Sequence, residues 1–171
     1  MKNLSEKPEY KTSLYGSRMV SKTHGRIVFR GALDTMEAEV LEAQILAAEM
    51  GENWYCQCLG EILVCLRNIM GCEVNNIPLP PVWLFGFSAE ELRLKSQDVK
   101  NSFNMKEHPL PEYTLGKLAI RLNYLRARVR ELEILAVRVF RSRIDIITAL
   151  NRLSSAFWWL FCRYAADRVR S

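Results

Sequence analysis

Arg126, Arg130 and Glu133 recur at i, i+4 and i+7 in the stretch L-N-Y-L-R-A-R-V-R-E-L-E, so a helix through it places all three on one face. Guanidinium groups grip phosphate oxygens through two parallel hydrogen bonds, which a lysine point charge cannot do. A second stretch, A-L-N-R-L-S-S, supplies Asn151 and Ser155 in the same relation to its own helix. Two arginines, a glutamate and an asparagine set at helix edges can meet a polyanion.

The elements that must carry these groups are legible as apolar seams. Leu118, Leu122, Leu125, Val129, Leu132, Ala136 and Val139 step by four and three beside the first set. Ile146, Leu150, Leu153, Phe157, Leu160 and Tyr164 do so beside the second. A first helix is predicted from about Leu33 to Met50, with Leu33, Met36, Val40 and Ala47 inward and Gly51 as its stop. A second runs from about Trp54 to Glu73 on Leu59, Ile62, Leu63, Leu66, Ile69 and Met70. N-N-I-P-L-P-P breaks the pattern, and Ser88 before A-E-E reads as a capping box for a short helix through Ser96. After an irregular connection from Gln97 to Tyr113, Thr114 caps a long helix to about Arg141. Ser142 opens the last, from about Arg143 to Arg168. No alternation long enough for a sheet and no repeat is visible. The expected fold is all-α: a five-helix bundle of four long helices and one short, up-and-down and ferritin-like. A polar arm covers residues 1–20 and the bundle domain residues 21–171.

Composition agrees. The chain has 171 residues, 49% of them hydrophobic, with eight glycines and six prolines, which suits one compact helical domain. A net charge of +5 favours anionic partners without naming one. Cys56, Cys58, Cys65, Cys72 and Cys162 form an odd set with no CxxC pair, the pattern of buried thiols in a reducing cytoplasm. The start M-K-N-L-S-E-K-P-E-Y lacks the apolar run of a signal peptide, and Ala156 to Cys162 is too short to span a bilayer. Only His24 and His108 are present, neither in an ExxH or HExxH arrangement, so a di-iron bundle and a zinc protease are excluded. There is no GxxxxGK[ST] loop and no GxGxxG turn.

Four blocks remain: S-K-T-H-G-R-I-V-F-R-G-A-L-D, L-R-N-I-M, H-P-L-P-E-Y-T-L-G with L-N-Y-L-R-A-R-V-R-E-L-E, and D-I-I-T-A-L-N-R-L-S-S. In this order, across residues 18–165, they resemble the ethanolamine-utilisation type of ATP:cob(I)alamin adenosyltransferase and, more distantly, the propanediol-utilisation type. The resemblance implies a trimer of five-helix bundles with active sites between subunits. It implies transfer of the 5′-deoxyadenosyl group of ATP to cob(I)alamin, giving adenosylcobalamin and triphosphate. The corrinoid itself is the nucleophile, so a protein without a nucleophile or histidine base can still be an enzyme.

The same resemblance assigns residues. Asp34 in G-A-L-D, read as near a helix start, is implied to pair with Arg126 of a neighbouring subunit. Arg130 and Glu133 match an R-x-x-E that contacts ATP and organises its cation, Mg2+. Asn151 matches an asparagine that bonds the nucleotide. Lys22 and Arg26 match basic residues that help hold the triphosphate. Arg126 and Arg130 are the implied catalytic pair. Phe103, His108 and Tyr113 are candidates for the residue closing the lower corrin face, His108 standing where the propanediol branch has a phenylalanine. The sequence lacks the T-G-D-x-G phosphate loop of that branch. It also lacks the His and cysteine cluster of the ethanolamine branch, which implies no iron or zinc dependence of that kind. Homotrimerisation, a corrinoid reductase partner and a cytoplasmic location, with a metabolic microcompartment as the further option, follow from the same likeness. Neither a nucleic acid nor a membrane is expected as partner.

Each assignment has a plainer rival. The arginine face can be a solvated helix flank, Asp34 a helix-start residue, Asn151 an interhelical contact, Lys22 and Arg26 surface charges, His108 a loop residue, and Trp158 and Trp159 core or interface. The rival for the whole chain is a non-catalytic basic helical bundle serving as an interaction module.

Overall fold

A computed structural model describes residues 8–170, the side chains of 169 and 170 excepted. Within these residues the chain is mostly helical. Four long helices dominate: α1 (Gly25–Glu49), α2 (Asn53–Val74), α5 (Lys117–Val139) and α6 (Ile144–Arg170). Short α3 (Ala89–Gln97) and the single turn α4 (Val99–Ser102) precede a 3-10 turn at Tyr113–Leu115. α1 packs on α2 and α5, while α6 packs on α5 and α3. The tight connections between α1 and α2 and between α5 and α6 make each pair a helical hairpin.

The seams form the core. Leu118, Leu122, Leu125, Val129, Leu132 and Ala136 of α5 are buried, as are Ile146, Leu150, Leu153, Phe157, Leu160 and Tyr164 of α6. Leu33, Met36, Val40 and Ala47 of α1 meet Leu59, Ile62, Leu66 and Ile69 of α2 in the same cluster. Full burial of such side chains contributes roughly 1.5–3 kcal/mol each, so the seams account for the bundle. No helix among the described residues is long and apolar enough to cross a membrane. The free thiols Cys58, Cys65 and Cys162 are pushed up by burial to about 12, as inert interior cysteines are.

Three expectations need correction. The sequence reading has no sheet, yet β1 (Lys11–Tyr15) pairs antiparallel with β2 (Arg18–Ser21), and β3 (Trp83–Leu84) with β4 (Phe87–Ser88). The first hairpin shows little alternation because Leu14 alone of its residues is buried; Arg26 holds it by donating to the Tyr15 hydroxyl at 3.1 Å. The polar arm of residues 1–20 is therefore part hairpin, and residues 1–7 of it lie outside the described residues. The second hairpin turns through Phe85 and Gly86, both at positive φ (58° and 80°), as a two-residue hairpin turn demands.

Second, α1 begins at Gly25, not Leu33. His24 is its N-cap, with Nδ1 accepting from the Arg26 N–H at 3.2 Å, and Phe29 is fully buried one turn on. Gly25 lies where α1 meets the end of α5: a Cβ there would sit 3.2 Å from Val139 Cγ2, a tight contact that the glycine avoids. Asp34 is consequently an exposed residue inside α1, beyond the first turn where the helix dipole would favour its charge. Third, Gly116, at φ 88°, caps α5 in place of Thr114, whereas α6 starts at Ile144, within a residue of its expected start. Elsewhere Ser88 and Glu91 form the expected reciprocal capping box on α3.

Candidate active site

The groove between α5 and α6 collects the polar residues that flank the seams. Arg130, Glu133, Ile134, Val137 and Arg138 of α5 face Asn151 and Ser154 of α6 around a recess of about 410 Å³. Asn151 Nδ2 donates to Glu133 Oε1 at 2.9 Å, and Arg152 Nη1 donates to Asn151 Oδ1 at 2.8 Å. Arg130 is exposed and forms no ion pair among the described residues. A free guanidinium beside an oriented amide and a carboxylate can take a phosphorylated ligand.

Arg126 sits one turn before Arg130 and differs in environment. Its guanidinium carbon lies 4.8 Å from the Trp158 ring centroid, and its Nε is buried with no hydrogen-bond partner. Burial first, and then the neighbouring Arg130 charge, lower its pKa, with Cys162 opposing. The His108 ring lies 6.1 Å from the same Trp158 ring. His108 also lines a second recess of about 590 Å³ with Met105, Pro109, Leu110, Leu115, Ala165 and other residues.

The remaining candidates are placed apart from the groove. Arg26 is committed to Glu73: its Nε donates to one carboxylate oxygen, Arg30 Nε donates to the other, and Arg26 Nη2 donates to the Glu73 carbonyl at 2.9 Å. Lys22 is exposed just after β2. Asp34 is exposed on α1, and no ion pair joins it to Arg126 among the described residues. Phe103 packs on Trp159 at 5.4 Å, in an aromatic cluster with Trp54, Phe85 and Phe87. Tyr113 is 89% exposed. His108 and Arg126 share Trp158 as a neighbour.

This arrangement can be compared with known proteins. The cobalamin adenosyltransferase family matches residues 4–165. The chain belongs to that family. It is 38% identical over 160 residues to the corrinoid adenosyltransferase EutT of Salmonella typhimurium strain LT2, covering 90% of this chain and 58% of that protein. It is 36% identical over 162 residues to the protein of the same name from Escherichia coli strain K12, covering 91% and 58%. The chain thus spans 58% of the length of these curated relatives.

Several residues of the groove and of the clusters around it carry no assignment from the sequence alone. Glu73 is wholly buried, an acid on the inward side of α2 one turn after Ile69, and that position in an apolar seam was the available signal. Arg138 lines the groove two turns after Arg130, and Ser154 lines it where Ser155 was expected beside Asn151. Trp158 offered no signal beyond its place on α6, because Arg126 and His108 reach it from a different helix and a distant loop.

Proposed function

We propose that this chain transfers the 5′-deoxyadenosyl group of ATP to cob(I)alamin, yielding adenosylcobalamin and triphosphate, in the service of ethanolamine utilisation. The observation that carries the reading is the meeting of Arg130, Glu133 and Asn151, from two helices, in one groove. Membership of the cobalamin adenosyltransferase family and the name of the curated relatives support it.

In this reading the cobalt of the reduced corrinoid attacks C5′ of ATP. The Co–C bond forms as the C5′–O bond breaks, and the electron pair leaves on the triphosphate. No side chain has to move a proton. The protein's work is to align C5′ with the metal, to offset the charge that develops on the leaving oxygen, and to keep water out. Arg130 takes phosphate oxygens, and Asn151, held by Glu133 and Arg152, presents a fixed amide to the nucleoside. Glu133 is the one carboxylate lining the groove, and its second oxygen accepts no bond among the described residues. Mg2+ needs one or two carboxylates with phosphate oxygens and water, so this donor fits, and the ion would neutralise triphosphate charge there.

The finer assembly belongs to the same proposal. The bundle domain from residue 21 onward forms a homotrimer of ferritin-like five-helix bundles, with Asp34 of one subunit meeting Arg126 of the next. Lys22 and the Arg26 region then approach the phosphates. Ile45 of α1 and Ile134 and Val137 of α5 are 59%, 55% and 53% exposed, which an interface of this kind would cover. A corrinoid reductase supplies the cob(I) state.

Incubation with ATP, Mg2+ and chemically reduced cobalamin, followed by the visible spectrum, tests the reading. Appearance of adenosylcobalamin in step with triphosphate supports it. A folded protein that yields none leaves the non-catalytic bundle as the better account.

A further inference from the structure

Asn151, Ser154, Trp158 and Ala165 follow one another on α6 at i, i+3, i+7 and i+14, which keeps them within an arc of about 60°. Asn151 and Ser154 line the polar groove, and Ala165 lines the more apolar recess behind His108. Trp158 is the residue between the two. From its ring, Arg126 lies at 4.8 Å, His108 at 6.1 Å and Phe161, stacked at an interplanar angle of 28°, at 5.6 Å. Arg126 makes no hydrogen bond or ion pair among the described residues, and its Nε is buried without a partner. Within one chain the indole face is the contact that this half-buried guanidinium makes, at 4.8 Å, and an indole is the strongest of the aromatic cation acceptors.

We propose that Trp158 is a positioning residue for the adenosyl transfer, holding the Arg126 guanidinium at the junction between the nucleotide groove and the recess under the His108 loop. The inference rests on the proposed function, and assigns to Trp158 an action through Arg126 rather than contact with the reacting atoms. A flexible arginine without this face loses its direction, and the alignment of the two substrates is lost with it. Trp159, next in sequence, is 5% exposed in the opposite aromatic cluster and has no such role.

The test uses the wild-type chain, W158F, W158L, R126A and R126A/W158L. In adenosylation, W158L is expected to lose about tenfold in kcat/KM and W158F about two- to threefold, as the acceptor weakens. On the R126A background W158L should change the rate by less than about twofold, because its effect passes through the arginine. In the 1H–15N spectrum the Arg126 Nε–Hε signal, identified by its absence in R126A, should be displaced upfield by the ring and return in W158L. Equal losses from W158L with and without Arg126, or an Nε–Hε signal indifferent to W158L, overturn the proposal. If W158L melts below assay temperature, W158F on the two backgrounds gives the same comparison. A wild-type chain that makes no adenosylcobalamin overturns the proposed function instead, and the arginine signal still decides the contact.

Discussion

Asn151 Nδ2 and Glu133 Oε1 are 2.9 Å apart, and this bond ties α6 to α5 across the floor of the groove. It fixes the orientation of the Asn151 amide toward a ligand and leaves the second Glu133 oxygen for a cation. Glu133→Gln separates the two duties, since the amide oxygen can still accept from Asn151 while the charge is gone. The variant should keep its melting temperature and need about tenfold more Mg2+ for half-maximal rate. Rates measured across a Mg2+ titration check this, and an unchanged midpoint would remove Glu133 from cation binding.

Arg130 has no partner to lose within the described residues, so its truncation should leave the fold untouched. A charge-assisted, bidentate phosphate contact contributes on the order of 2–3 kcal/mol, which converts to about 30–150-fold in kcat/KM for ATP. Arg130→Lys should recover only part, as a point charge cannot reproduce the fork. Steady-state kinetics beside a thermal melt decide it, and unaltered kinetics in Arg130→Ala would place the phosphates elsewhere.

The helical seams were readable because burial imposes a period that propensity cannot hide. Leu118 to Ala136 and Ile146 to Tyr164 are where the spacing puts them, and Arg130, Glu133 and Asn151 come together because they ride beside those seams. The start of α1 was not readable. Gly25 and Gly31 look like breakers, and only tertiary contacts override them: Phe29 in the core, and Arg26 and Arg30 on Glu73. The first hairpin was missed for a related reason, as a two-stranded ribbon without alternation is stable only when something holds it. Here that is Leu14 and the Tyr15–Arg26 bond. Trp158 had no signature because its value lies in Arg126 and His108, which no local pattern connects.

Asp145 accepts from Arg143 and from the Leu79 N–H at 2.9 Å, clamping the segment after α2 to the start of α6. The Arg143 hydrogen bonds, with help from the Leu79 N–H, hold its carboxyl down to about 2 against burial. A depressed carboxylate stabilises the fold above its unfolded pKa, and the gain disappears as pH falls through the folded value. Water reaches 27% of the side chain, so screening leaves about 1 kcal/mol of the full linkage. Asp145→Asn should therefore be about 1 kcal/mol less stable than wild type at pH 7, and the gap should close between about pH 4 and pH 2. Urea unfolding across that range checks it, and a gap independent of pH would assign the effect to shape rather than charge.

Glu73 presents the opposite case, a carboxylate with no exposed surface between two guanidinium groups that are each 15% exposed. Both oxygens are occupied, Arg26 also reaches the Glu73 carbonyl and Tyr15, and Arg30 Nη2 remains buried without a partner. The cluster joins the first hairpin, α1 and the end of α2. Removing the acid leaves two cations facing each other out of water, which costs about 3–5 kcal/mol where a buried pair is broken from one side. Glu73→Gln should lose that much in urea unfolding, whereas Arg30→Met, which removes one of the two cations and keeps the stem, should cost clearly less. The hairpin carrying Lys22 should loosen first, seen as faster amide exchange over residues 11–22 than over α5 and α6. Equal stability of Glu73→Gln and wild type would show that the two arginines find water on their own, and that Leu14 and the Tyr15–Arg26 bond hold the hairpin without the acid.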